Sequence, residues 1–138
     1  MRATSGFDRL VGDYMSLPAV VVAVDDVVQR AETLLTEHHV SGLPVVDATG
    51  AIVGVVSRTD ILGESPRVSA LVRGHADRLL VGELMTSPAI TVSITTTLRD
   101  AARAMRDARI HRVVVVDEAA RPVGVLSASD YVAIAADE

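Results

Sequence analysis

The chain contains no cysteine, which excludes disulfide frameworks, thiolate metal sites and a cysteine nucleophile in one step. It has no tryptophan, one phenylalanine and two tyrosines, too few to build the stacking platform that holds single-stranded nucleic acid. Positive charge is in the minority: 13 Lys+Arg against 18 Asp+Glu leave a formal charge of −5, whereas duplex binding calls for a basic face that neutralises phosphates. Nucleic acid is therefore not an expected partner, although a local cluster of arginines can still hold one small anion. No apolar run approaches the roughly 18 residues of a membrane span, so no membrane association is expected. Residues 1–14 carry Asp8 and Asp13 and lack a basic start followed by a long apolar stretch, so they do not read as a signal peptide. The default compartment is the cytoplasm.

What is present is a chain of 138 residues, 49% of them hydrophobic and dominated by Val, Ala, Leu and Ile, which is enough to close the core of one compact domain. Sliding the chain against itself by 70 residues, the separation of Met15 and Met85, aligns residues 11–62 on 81–132 without a gap. The matches include Val11/Val81, Gly12/Gly82, Met15/Met85, Val45/Val115, Asp47/Asp117, Gly54/Gly124, Ser57/Ser127 and Asp60/Asp130. One register kept over such a length marks an internal repeat. Units of about 50 residues bury a poor core alone, so the two are expected to pack on each other across a pseudo-twofold axis as one module.

Each copy reads alike. Residues 20–24 form a short β-branched run, and Asp25 and Asp26 then stand as starters for a helix carrying Val27, Val28, Ala31, Leu34 and Leu35 at helical spacing. Residues 43–47, a turn through Gly50 and residues 52–57 read as a strand hairpin, and a short helix follows from Arg58. The second copy repeats this as a strand at 90–94, a helix over 97–108, strands at 113–117 and 123–127, and a last helix from Ala128. The fold class is thus α/β (α+β), two pseudo-symmetric β-α-β-β-α repeats. The expected divisions are an N-terminal segment 1–10, repeats at 11–62 and 81–133, a linker at 63–80 and a tail at 134–138. Ser65 and Pro66 open a linking helix in that linker, whose Arg67, Arg73, His75 and Arg78 read as a solvated face or as groups for a phosphate or partner.

The Ser-x-x-Asp elements, Ser57 to Asp60 and Ser127 to Asp130, admit two readings. A serine ending a strand and an aspartate in the first helical turn lie beside free backbone N–H groups, a place suited to phosphate, and the carboxylate can accept two hydrogen bonds from a ribose diol. Alternatively the serines cap their helices and the aspartates complement the helix dipole, with no ligand involved. His38 and His39 are adjacent at a helix C-terminus and point in different directions, a poor arrangement for a metal. The chain shows no phosphate loop of the G-x-x-x-x-G-K-[ST] type and no Ser/His/Asp nucleophile system, so no catalytic residues are assigned.

The segments Val40-Ser41-Gly42-Leu43-Pro44-Val45-Val46-Asp47 and Gly54-Val55-Val56-Ser57-Arg58-Thr59-Asp60, with Ile110-His111-Arg112 through Asp117 and Gly124 to Asp130 in the second copy, resemble a tandem pair of cystathionine beta-synthase (CBS) domains, a Bateman module. The resemblance implies a regulatory module that holds an adenine nucleotide (AMP, ADP or ATP) in an inter-repeat cleft as a regulatory ligand rather than a cofactor. It implies that adenine lies against Val20, Val21, Val22, Val40, Ser41, Gly42 and Pro44, and that Ser57, Arg58, Asp60, Ser127 and Asp130 take ribose and phosphate. Ile110, His111 and Arg112 replace the small residues of the first copy, and the His-Arg pair resembles the phosphate-binding pair of nucleotide-sensing family members. It further implies clefts that combine strand residues of one repeat with the Ser-x-x-Asp of the other. Val40, Ser41 and Gly42 would then face His111, Ser127 and Asp130, and one nucleotide would bind tightly per chain.

A flat symmetric homodimer and an unidentified effector protein are the implied partners. A structural oligomerisation domain with empty clefts, or a binder of another adenosyl ligand such as S-adenosylmethionine or NAD, stands as the alternative. The ligand-holding groups come with no acid, base or nucleophile set, so the chain is not expected to be an enzyme.

Overall fold

The computed structural model describes residues 6–16, 19–62 and 79–136. The linking helix expected after Ser65 lies outside these residues. Within each copy the element order is the expected one. The first has β1 (Val22–Ala23), α1 (Val28–His38), β2 (Gly42–Val46), β3 (Ile52–Ser57) and α2 (Arg58–Ile61). After α3 (Val81–Leu84), the second has β4 (Thr91–Ser93), α4 (Leu98–Ala108), β5 (Arg112–Val116), β6 (Pro122–Ser127) and α5 (Ala128–Ala136). Two short 3-10 turns, Gly6–Asp8 and Val11–Asp13, precede them.

The chain forms two compact units, residues 20–89 and residues up to 19 together with 90 onward. In the unit of residues 20–89, β1 runs parallel to β2 and β2 antiparallel to β3, with Gly42 opposite Ser57 and Val45 opposite both Val22 and Gly54. Helix α1 makes the crossover and buries Val28, Ala31, Leu34 and Leu35 on the sheet, the stripe that a 3.6-residue period dictates. The other unit repeats this with β4 parallel to β5 and β5 antiparallel to β6, Arg112 standing opposite Ser127. Helix α4 buries Leu98, Ala101 and Met105 there. Both crossover helices are 11 residues long and end on a left-handed residue, His39 (φ 54°) and Arg109 (φ 57°).

Neither unit coincides with one sequence repeat. Val81 and Leu84 of α3, which open the second repeat, are buried in the core beneath β2 and β3 of the first. Gly82 N–H donates to the Val24 carbonyl (2.9 Å), and Thr86 and Val55 exchange two backbone hydrogen bonds (2.8 and 3.0 Å) along the β3 edge. Val11 and Met15, which open the first repeat, pack instead with the second sheet, where Ser16 and Val125 exchange the same pair of bonds (2.9 and 3.2 Å). Each sheet therefore has its β3 or β6 edge closed by a segment from the start of the other repeat.

One local expectation needs correction. Asp25 and Asp26 do not enter the first turn of α1, whose N-cap is Val27. Asp26 Oδ2 instead accepts from Ala23 N–H (2.9 Å) and closes a turn ahead of the helix. Thr96, at the matching position, does the same for Ser93 N–H (3.1 Å), so the position serves a turn in both copies.

Candidate ligand-binding site

Where β3 ends, Ser57 leaves the sheet in extended conformation and α2 begins at once, so Ser57 becomes its N-cap. Its hydroxyl accepts from Asp60 N–H (3.2 Å), and Asp60 Oδ2 accepts from Ser57 N–H (2.9 Å), a reciprocal capping box. The Thr59 hydroxyl shares a hydrogen bond with Ser57 Oγ (2.8 Å). The β2/β3 register then brings the start of β2 to this corner. Arg58 N–H donates to the Ser41 carbonyl (2.9 Å), and the Arg58 guanidinium reaches the Val40 carbonyl (3.4 Å). Val40, Ser41, Gly42, Ser57, Arg58 and Asp60 thus meet at one point within a single unit.

The second corner has the same skeleton. Asp130 Oδ2 accepts from Ser127 N–H (2.8 Å) and from the Ser127 hydroxyl (3.2 Å), Ser129 Oγ lies 2.8 Å from Ser127 Oγ, and Ala128 N–H donates to the His111 carbonyl (2.7 Å). Ile110, His111, Arg112, Ser127 and Asp130 therefore gather at one end of β5 and β6. At both corners only Oδ2 of the aspartate is engaged, and Oδ1 accepts no hydrogen bond among the described residues. The guanidinium moves from helix to strand: Gly42 and Arg58 in one corner correspond to Arg112 and Ala128 in the other. His111 and Arg112 are exposed and form no ion pair among the described residues.

The remaining sequence-predicted residues sort by depth. Val22 is 2% exposed and Pro44 is buried, so their side chains belong to the core. Val20 and Val40 are half-buried against that core, as Ile110 is against the other, and Val21 is exposed. Each strand start lies beside the Ser-x-x-Asp of its own repeat. Thr59 and Ser129 were not singled out from the sequence, although a hydroxyl at the same offset in both copies was the signal for them. Beside the second corner, Tyr131 donates to the Leu98 carbonyl (2.5 Å), and burial together with the Asp130 charge pushes its phenol up to about 12. Among the described residues no cluster of three potential ligands could hold a metal ion, and no helix is long and apolar enough to cross a membrane.

Small sheet-and-helix repeats in tandem, each closing on a hydrogen-bonded Ser-x-x-Asp corner, define a protein built from paired β-α-β-β-α modules. The chain belongs to the CBS domain family, whose family model matches residues 11–67 and 81–137. It is similar to the chloroplastic CBS domain-containing protein CBSX2 of Arabidopsis thaliana, 33% identical over an alignment that covers 88% of this chain and 61% of that protein. It is also similar to inosine-5'-monophosphate dehydrogenase of Korarchaeum cryptofilum, 32% identical over 80% of this chain but only 21% of the enzyme. This chain thus spans less than two thirds of either relative. Among solved structures it resembles CBSX2 in complex with AMP (TM-score 0.77, 34% identity, 93% of this chain and 96% of that one). It likewise resembles the CBS domain pair of protein MJ0100 in complex with 5'-methylthioadenosine and S-adenosyl-L-methionine (TM-score 0.76, 25% identity, 94% and 97%).

Proposed function

We propose that this chain is a regulatory module that binds an adenosine-containing ligand at its Ser-x-x-Asp corners and passes the bound state to a second copy or an effector protein, without catalysing a reaction. The observation that carries this reading is the half-engaged carboxylate. Asp60 and Asp130 are each fixed through Oδ2 by the backbone of the serine before them, which leaves Oδ1 to accept from a ribose hydroxyl. An arginine stands at the same corner, Arg58 in one unit and Arg112 in the other, positioned for phosphate. The AMP in the CBSX2 structure and the two adenosyl compounds in the MJ0100 structure support this ligand class. A ligand with different affinities for two arrangements shifts their populations, and that is the whole of the signalling mechanism. The complete capping box at Ser57 favours a second reading, a structural oligomerisation domain, because it satisfies those groups with no ligand.

A thermal-shift series with AMP, ADP, ATP, S-adenosylmethionine, methylthioadenosine and NAD separates the two. Binding at a hundredfold excess over Kd stabilises by about 2.7 kcal/mol, several degrees in a domain of this size. Asp130→Ala is expected to weaken the tighter binding event about tenfold to a hundredfold, since bonds to a charged acceptor contribute about 1.5 to 3 kcal/mol each. No shift with any compound at millimolar concentration would leave the structural reading standing.

A further inference from the structure

The two corners share a skeleton but not the seat of their arginine. Arg58 is the first residue of α2, directly after the N-cap Ser57. Its backbone N–H donates to the Ser41 carbonyl (2.9 Å) and its guanidinium turns back to the Val40 carbonyl (3.4 Å), so the side chain reaches over the residues that lead into β2. Ser57 and Asp60 meanwhile satisfy each other in a complete capping box. A ligand entering this corner has to lift the arginine off the Val40 carbonyl before it gains that cation as a partner.

The second corner is open where the first is crossed. Ala128 takes the place of Arg58, and the Ile110 carbonyl, which matches that of Val40, receives no side-chain donor among the described residues. The arginine stands instead on the strand. Arg112 opens β5 opposite Ser127, exposed, and its guanidinium makes no ion pair or hydrogen bond among the described residues. The residue before it is the exposed His111, where the first copy has Ser41. An unengaged guanidinium keeps its paired donors for two oxygens of a phosphate, whereas a held one must first break a bond.

We infer that this chain takes a single adenosine phosphate, at the Ser127–Asp130 corner, and that Arg58 closes the Ser57–Asp60 corner to it. The seat of the arginine, on the helix or on the strand, decides which corner binds. The inference rests on the ligand reading above and adds which corner is used and what selects it. The test is isothermal titration calorimetry with AMP, with circular dichroism to show that each variant is folded. Wild type is expected to bind one AMP per chain. Gly42→Arg with Arg58→Ala gives the first corner the arrangement of the second, and a Cβ at Gly42 meets nothing closer than 3.5 Å. A second binding event per chain is expected there. Arg112→Gly with Ala128→Arg gives the second corner the arrangement of the first, and AMP is expected to bind at least about tenfold more weakly, as the loss of a charge-assisted hydrogen bond requires. Amide chemical shifts of wild type on adding AMP, which need no substitution, are expected to move at Ser127–Asp130 ahead of Ser57–Asp60. Two equivalent sites in wild type, equal shifts at both corners, or folded double variants that bind as wild type does would overturn the inference. Wild type that binds S-adenosylmethionine but not AMP would overturn the inference and leave the ligand reading standing, whereas wild type that binds no adenosyl compound would overturn both.

Discussion

At the scale of single residues, the serine and aspartate of each corner serve two purposes at once. Asp130 holds Ser127 at the start of its helix through one oxygen and keeps the other open, and its charge also reaches the neighbouring residue. Its own burial and that charge together push the Tyr131 phenol up from the ordinary 10.0 to about 12. The neutral phenol is the form that donates to the Leu98 carbonyl. Between pH 10 and 12 the unfolded chain has lost this proton while the folded chain keeps it, so Tyr131 adds stability that is complete below pH 10 and disappears as the pH rises toward 12. Urea midpoints followed from pH 8 to 12 are expected to fall across that window, and Tyr131→Phe is expected to flatten the fall. At pH 8 the variant should be only about 1 kcal/mol less stable, one hydrogen bond's worth. An equal alkaline slope in both proteins would mean that the phenol is not held by the fold.

At the scale of elements, the crossing of the edge segments over β3 and β6 sets what the glycines there must be. A Cβ on Gly124 would lie 2.6 Å from Met15 Sδ and 2.9 Å from the Ser16 carbonyl oxygen, and one on Gly54 would meet Met85 and Thr86 in the same way at 2.7 and 2.8 Å. The methionine can swing aside, but the carbonyls belong to residues tied to the strand by paired backbone hydrogen bonds. Gly42, by contrast, has its nearest neighbour at 3.5 Å, ordinary contact. Gly124→Ala is therefore expected to destabilise by about 1 to 3 kcal/mol through overpacking, and Gly42→Ala by less than about 1 kcal/mol. Chemical denaturation measures both. Equal costs at the two positions would show that the close approach of the edge segment is not what fixes the glycine.

At the scale of the whole molecule, the exchange of edge segments means that the repeat visible in sequence is not the unit that folds. The segment 6–16 supplies Val11 to the second core, and its backbone bonds run to Thr96, Ile94, Leu98 and Val125. Deleting residues 1–16 should therefore strip protection from the far unit rather than from the repeat to which the segment belongs in sequence. Hydrogen exchange is expected to show faster amide exchange in β5, β6 and the start of α4, with β2 and β3 little changed. Loss of protection confined to β2 and β3 would contradict the exchange.

The repeat, the order of elements and the identity of the corner residues could all be read along the chain, because each depends on neighbours close in sequence. Period-2 and period-3.6 patterns, a glycine at a hairpin and a serine three residues before an aspartate declare themselves locally. The matched residues Val11/Val81, Gly12/Gly82, Met15/Met85 and Gly54/Gly124 were equally visible. Which sheet each of them joins was not, since a segment fits the edge of either of two near-identical repeats equally well by pattern. Only the tertiary structure assigns Met15 to Gly124 and Met85 to Gly54, by the contacts the chain can make in three dimensions. The same holds for a groove along α4, where only the tertiary structure brings Phe7 and Tyr131, distant in sequence, beside Arg99, Arg103 and Arg106.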